Sequence, residues 1–378
     1  MLGVEHEALQ QLVGALEPSV RQQALDLVRQ VHEHDGVEAI SEAPRLALGD
    51  GDPAVTHILA WKNGRLAGYS QRDAEGISAE LAVAPGARRL GLAKAIVRTL
   101  ATDTPKVRLW AHGDLGAARM VADSVGMVAV RELREMTSDR TLRQAAAPAA
   151  LGFAEPGGGF QPQVATATAG RQSEDAHDAV VADPARPADP APSVAPTLPD
   201  APARPGALAA LTAPGRSAEA AGGFVIRQFD PRVDRGVWIE LNAAAFASHP
   251  EQGKLKVADL DRRMAESWFD PAGLLFAAPV APNGSLGSPI GYVWTKIVGV
   301  IGEIYAIGVH PQAQGRRLGT NLLNAGLARL EEQGVTEVRL FVEADNVPAI
   351  AAYRRQGFAV TRRDIQYAFP QPSDGLRA

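Results

Sequence analysis

Apolar and polar positions follow the same order along residues 81–130 and again along 307–360. Leu81-Ala82-Val83 runs apolar towards Pro85. A basic, glycine-bearing stretch, Arg88-Arg89-Leu90-Gly91-Leu92-Ala93, comes next, and an apolar helix-like run extends from Lys94 to Leu100. Ile307-Gly308-Val309 leads in the same way to Pro311, then to Gln314-Gly315-Arg316-Arg317-Leu318-Gly319 and a run from Thr320 to Leu330. Short apolar runs bounded by turn residues predict strands, and the longer runs predict helices. Each copy continues with a strand-like run, Val107 to Trp110 and Val338 to Val342, and a helix-like stretch closed by Gly126 or Gly357, which predicts a helix C-terminal cap. Seventeen positions separate Leu109 from Gly126, and seventeen separate Leu340 from Gly357. Shared motif, order and spacing predict an internal duplication. Ile290 to Trp294 and Gly302 to Val309 predict adjacent strands. Each half therefore reads as α/β, a mixed sheet with helices on both faces.

Between the halves this patterning stops. From Ala145 to about Gly223 the chain is dominated by Ala, Pro, Gly and small polar residues, and 12 of its 27 prolines fall between Pro148 and Pro214. With little to bury, such a stretch cannot offset the entropy lost on ordering. A disordered, partly extended linker is expected over 141–222, joining folded domains at 1–140 and 223–372. A chain of 378 residues has room for two domains and this spacer.

Composition narrows the function classes. The net charge of −5 gives no reason to expect nucleic acid or an anionic membrane as partner. With no cysteine, disulfides and cysteine-based nucleophiles or metal sites are excluded, and no metal is expected. Met1 to Glu17 carries acidic residues and no basic start before an apolar run, unlike a signal peptide. No stretch approaches the roughly 18 apolar residues of a spanning helix. A soluble, cytoplasmic monomer is the expectation.

The strand-Pro-basic loop-helix unit suits anion binding. Backbone N–H groups at a helix start have no internal partner, the helix dipole adds positive potential, and glycine lets the backbone approach a pyrophosphate. The order Val-x-Pro-x-x-[Arg/Gln]-x-x-Gly-x-[Gly/Ala] resembles motif A of the GNAT acetyltransferases. Arg88, Gly91 and Ala93 match it, as do Gln314 and Gly319, while Arg317 stands where glycine is usual, a departure that bears on loop geometry. The resemblance implies two tandem GNAT domains, each a mixed, mostly antiparallel sheet flanked by helices and each binding one acetyl-CoA. The implied contacts are Leu81, Ala82, Val83, Arg88, Arg89, Leu90, Gly91, Leu92, Ala93 and Lys94 in the first half. In the second they are Ile307, Gly308, Val309, Gln314, Gly315, Arg316, Arg317, Leu318, Gly319 and Thr320. Asn346, Val347, Pro348, Ala349, Ile350 and Ala351, in a stretch like GNAT motif B, complete the second site; Asn346 resembles a pantetheine contact.

Direct acetyl transfer to an amine needs a base for the ammonium, an acid for the departing thiolate and an oxyanion donor, in this family usually a strand N–H beside a bulge. Glu303 and Tyr353 are the implied base and acid. Alignment on Gly126 puts Ala122 in place of Tyr353 and Leu115 in place of Asn346, and alignment on Pro85 puts Ile77 in place of Glu303. The first half is thus expected to bind acetyl-CoA without turning it over.

Further strings resemble the mycothiol synthase branch of the GNAT family. Among them are Trp110-Ala111-His112-Gly113, Asn242-Ala243-Ala244-Ala245-Phe246-Ala247, His249-Pro250-Glu251-Gln252-Gly253, Trp268-Phe269-Asp270-Pro271 and Trp294-Thr295-Lys296. That branch acetylates the cysteinyl amine of a cysteinyl-glucosaminyl-inositol. The resemblance implies substrate contacts at Glu42, Glu251, Lys296 and Glu303, with Phe341 standing where the family has a tyrosine. Two other readings stay open: a tandem GNAT enzyme for another amine (an aminoglycoside, polyamine or peptide N-terminus), and a non-catalytic acyl-CoA-binding regulator.

Overall fold

The two halves share a single sheet because each gives its last strand to the other. The computed structural model describes residues 8–139, 223–247, 249 and 251–370, all within one compact unit. The linker expected over 141–222 lies outside the described residues. The first half contributes β1 (Ala8–Val13), α1 (Pro18–Asp35), α2 (Glu42–Asp50), β2 (Thr56–Lys62), β3 (Arg65–Arg72), β4 (Ser78–Val83), α3 (Leu92–Asp103), β5 (Arg108–Ala111), α4 (Gly116–Val125) and β6 (Val128–Asp139). The second contributes β7 (Phe224–Gln228), α5 (Arg235–Ala245), α6 (Val257–Met264), β8 (Leu274–Pro279), β9 (Gly291–Val298), β10 (Ile301–Val309), α7 (Leu318–Glu332), β11 (Glu337–Glu343), α8 (Val347–Arg355) and β12 (Ala359–Ala368).

The twelve strands run in the order β1-β2-β3-β4-β5-β12-β6-β11-β10-β9-β8-β7. β12 lies against β5 of the first half, β6 lies against β11 of the second, and β6 and β12 pair at the centre. Gly126 and Gly357 are 231 positions apart, and so are Leu133 and Asp364, which are register partners in the central ladder. The duplication is therefore expressed as a pseudo-two-fold axis through that pair. Among the described residues, only β4–β5 and β10–β11 are parallel. The expectation of a mixed, mostly antiparallel sheet holds, but as one sheet rather than two.

Alternation along β11 shows how the faces are used. Val338, Leu340 and Val342 enter the core under α7 with Leu322, Leu323, Leu327 and Leu330, while Arg339, Phe341 and Glu343 point to the opposite face. An aromatic cluster of Trp238, Phe276, Tyr292 and Trp294 fills the other side of β8 and β9. In the first half, Ile96, Val97 and Leu100 of α3 cover Ile58, Ala60 and Leu109. Gly126 and Gly357 both have φ near 79°, and the amides after α4 and α8 make the same pair of bonds. Gly126 N–H donates to Asp123 and Met127 N–H to Ala122; Gly357 N–H donates to Arg354 and Phe358 N–H to Tyr353. These are the expected glycine-terminated helix ends. Among the described residues, no helix is long and apolar enough to cross a membrane.

Candidate active site

In each half the parallel pair of strands separates after a short contact. β10 and β11 are paired only from Ile301↔Glu337 to Ile304↔Leu340, although β10 runs on to Val309 and β11 to Glu343. β4 and β5 are paired only at Ser78↔Arg108 and Ala79↔Leu109. The resulting opening leads to the basic loop and the N-terminus of the following helix. In the first half it forms a cavity of about 680 Å³ whose walls include Leu81–Val83, Arg88, Arg89, Gly91–Lys94 and Leu115.

The loop geometry is conserved although the residues are exchanged. Arg89 (φ 64°) and Gly91 (φ 90°) are left-handed in the first loop, and Gly315 (φ 77°) and Arg317 (φ 60°) occupy the same two places in the second. Arg317 thus adopts the conformation that a glycine adopts more easily. Neither α3 nor α7 receives a side-chain cap. The uncapped helix starts, the left-handed loop and the cavity fit a pyrophosphate-bearing cofactor.

Arg88 does not extend into this opening as a free cation. Its guanidinium donates two hydrogen bonds to the Asp35 carboxylate, at 2.8 and 2.7 Å, and its Nε donates to the Val83 carbonyl at 3.2 Å. The bond from Arg88 is the main cause of the lowered Asp35 pKa. Gln314 Nε2 reaches the equivalent Val309 carbonyl at 3.4 Å. The Arg/Gln of the motif therefore ties the loop to its strand. Asn346 caps α8, its Oδ1 accepting from Ala349 N–H at 3.2 Å.

Glu303, Lys296 and Glu42 come together, as do Arg339 and Tyr305, which sequence reasoning did not single out. Lys296 is the register partner of Glu303 across β9–β10, and Arg339 is its partner on β11, donating to Glu303 Oε2 at 3.0 Å. Lys296 Nζ also donates to Glu42 Oε1, and the Tyr305 hydroxyl donates to Glu42 Oε2 at 2.6 Å. Arg263 Nε donates to the Tyr305 hydroxyl at 2.8 Å. The ammonium of Lys296 lies over the rings of Trp268 (4.6 Å) and Tyr305 (5.2 Å). Burial, at 8% exposure, pushes the Glu303 carboxyl above its ordinary range, against the pull of Arg339 and Lys296. Burial acts the same way on Glu42, but the bonds from Lys296 and Tyr305 outweigh it and hold that carboxyl low.

The ladder of β9 and β10 skips one residue. Thr295 pairs with Ile304 and Trp294 with Ala306, so Tyr305 is bulged and has no register partner on either neighbouring strand. β3 and β4 carry no such bulge. The extra residue corrects the ungapped alignment of the halves: the strand pairings place Ser78, beside Arg108, where Glu303 stands beside Arg339, and not Ile77. An insertion of one residue leaves no local compositional signal, which is why the alignment missed it. Ala122 replaces Tyr353 in the core of the first half.

Tyr353 is buried on α8 against Phe358, and burial raises its phenol to about 12. Phe341 lies on the Glu303 side of β11, with the Arg362 guanidinium 5.9 Å from its ring. Glu251 is bonded elsewhere: its Oε1 accepts from Arg131 at 3.5 Å, and Arg131 also bonds Glu343 and His249. Arg339, Phe341 and Glu343 alternate along one face of β11 over about 13 Å, so the two carboxylate clusters mark the ends of one strip.

These features define a GNAT acetyltransferase, and the Acetyltransferase (GNAT) family profile matches residues 238–358. The fold is similar to a GCN5-related N-acetyltransferase from Sphaerobacter thermophilus (TM-score 0.53, 18% identity, 95% of this chain and 94% of that one). It is also similar to a tandem GNAT protein from the clavulanic acid biosynthesis pathway (TM-score 0.54, 16% identity, 96% and 98%). In sequence the chain is 34% identical to the mycothiol acetyltransferase of Cellulomonas flavigena over 96% of this chain and 89% of that protein. It is 35% identical to that of Streptomyces avermitilis over 94% and 93%. The chain belongs to the mycothiol acetyltransferase family.

Proposed function

We propose that the protein transfers acetyl from acetyl-CoA to the cysteinyl amine of cysteinyl-glucosaminyl-inositol, giving mycothiol and CoA, and that the second half alone carries the chemistry. The observation that carries this reading is Glu303, buried at the separation of β10 and β11 between Lys296 and Arg339 and beside the Tyr305 bulge. A carboxylate with a raised pKa in that position is poised to take a proton from the acceptor ammonium. The amine then forms the N–C bond as the C–S bond breaks, its nitrogen losing a second proton to solvent, and Tyr353, protonated near neutrality, supplies a proton to the departing thiolate and regains one from solvent. The bulged backbone at Tyr305 is the candidate donor to the carbonyl oxygen.

Glu42, Lys296 and Glu251 complement a polyhydroxylated cationic acceptor, with Phe341 giving an apolar contact between them. Glu42 comes from the first half, so the acceptor would lie between the halves. The first half keeps the cavity and the left-handed loop but has Ser78 and Ala122 in place of the base and acid. It is read as holding a second acetyl-CoA without turnover. Residues 1–140 and 223–372 are the corresponding domains and the protein is read as a cytoplasmic monomer. Release of CoA from acetyl-CoA with this acceptor, but not with glucosaminyl-inositol lacking the cysteine, is the expected result. Equal release with both would refute the assignment of the acceptor amine.

A further inference from the structure

Glu80 lies outside the site described above, yet it is bonded to the residue that precedes Glu42. It is a buried carboxylate on β4, 4% exposed. Oε1 accepts from the Ser41 hydroxyl at 2.7 Å, and Oε2 accepts from the Ser41 backbone N–H. Ser41 is the N-cap position of α2, and Glu42 is the first residue of that helix. A serine there ordinarily turns its hydroxyl to the first helical amides. Ser41 makes no such cap bond; its hydroxyl goes to Glu80. The helix forgoes that cap, and its start is instead fixed to β4.

Glu80 is itself held. His112 Nε2 lies 3.3 Å from Glu80 Oε2, while His112 Nδ1 lies 3.0 Å from Asp364 on β12. The chain of contacts therefore runs from β12 through His112 and Glu80 to Ser41, and the next residue, Glu42, meets Lys296 and Tyr305.

We propose that Glu80 is a positioning residue for the acceptor site, fixing the first turn of α2 so that the Glu42 carboxylate meets Lys296 and Tyr305. This rests on the reading of Glu42 as an acceptor contact. A carboxylate on the first residue of a short helix would otherwise shift with its loop, and displacement by about 1 Å is enough to impair a positioned group.

The test is steady-state kinetics of the full chain with acetyl-CoA and cysteinyl-glucosaminyl-inositol, comparing Glu80→Ala, Glu80→Gln, Ser41→Ala and Glu42→Gln. Glu80→Ala is expected to raise the acceptor KM about tenfold, with kcat and the acetyl-CoA KM within about twofold. Glu80→Gln, which keeps an acceptor oxygen for Ser41, should recover most of that loss. In the Glu42→Gln background Glu80→Ala should add little, because both act through one carboxylate. If Glu80→Ala does not fold, Ser41→Ala carries the test, with an expected rise of about threefold in the acceptor KM. Parallel loss of kcat and both KM values, or full additivity with Glu42→Gln, would show a general structural role and overturn the proposal. An impaired Glu42→Gln with unimpaired Glu80→Ala and Ser41→Ala would overturn it alone; an unimpaired Glu42→Gln would overturn the acceptor-contact reading as well.

Discussion

Lys296 and Glu303 face each other across the antiparallel ladder of β9 and β10, two pairs before the ladder skips Tyr305. With Arg339 closing on the same carboxylate at 3.0 Å, Glu303 stands between two cations while burial pushes its pKa up. A proton acceptor must be ionised, so kcat/KM should fall on the acid side along a limb lying above the ordinary glutamate value of 4.5. Arg339→Gln removes a charge that lowers that pKa, and the limb is expected to move to higher pH. A pH–rate profile with an unmoved limb would show that Glu303 is not the titrating base.

Tyr353 is expected to act through its hydroxyl rather than its ring. Tyr353→Phe preserves the packing against Phe358 and should lower kcat by about 10²-fold, with acetyl-CoA affinity nearly unchanged. Turnover and calorimetric binding measured side by side check this, and wild-type turnover would remove Tyr353 from the mechanism.

Arg317 holds a left-handed conformation at the N-terminus of α7. Such a backbone costs an L-residue roughly 1–2 kcal/mol relative to glycine. Arg317→Gly should therefore raise the thermal midpoint, consistent with a gain of about 1 kcal/mol. If the guanidinium also attracts the pyrophosphate, the same substitution weakens acetyl-CoA binding, more at low salt than at high salt.

His112 links the halves as a buried cation. Burial disfavours its charge, but Glu80 on β4 and Asp364 on β12 overcome this and raise it to about 10; Arg362, 3.6 Å from Asp364, is the other charge beside the cluster. Its folded value exceeds the ordinary 6.5, so its contribution to stability is complete below 6.5 and lost as pH rises through about 10. Asp364 is held low and matters only at the acid end, below its ordinary 3.8. Denaturant melts of the wild type should weaken between these limits, and those of His112→Gln should weaken less. Breaking the buried pair by Asp364→Asn should cost about 3–5 kcal/mol.

Much of this is legible in the sequence. The repeated strand-loop-helix pattern carries both left-handed loops, and the spacing to Gly126 and Gly357 carries the helix ends. Glu303, Lys296 and Glu42 do converge, although 254 positions separate Glu42 from Lys296. What stayed hidden depends on register and exchange. No hydrophobic pattern states that β6 and β12 cross to the opposite half. Likewise Tyr305 looks like any residue of an apolar strand until the ladder is counted, and Arg339 like any exposed arginine until its partner strand is known. Arg317 stands where glycine is usual, and its backbone adopts the left-handed conformation that a glycine there would supply.

Chemistry is predicted to take place at Glu303 and not in the first half. The most direct measurement is single-turnover CoA release by the full chain with cysteinyl-glucosaminyl-inositol, comparing the wild type, Glu303→Gln and Gly91→Val, the last straining the left-handed backbone of the first loop. The predicted result is release slowed by about 10²-fold or more in Glu303→Gln, with acetyl-CoA still bound, and a chemical step of wild-type rate in folded Gly91→Val. Wild-type release by Glu303→Gln would remove Glu303 from the chemistry, and release abolished only by Gly91→Val would place the reaction in the first half; either result overturns the assignment.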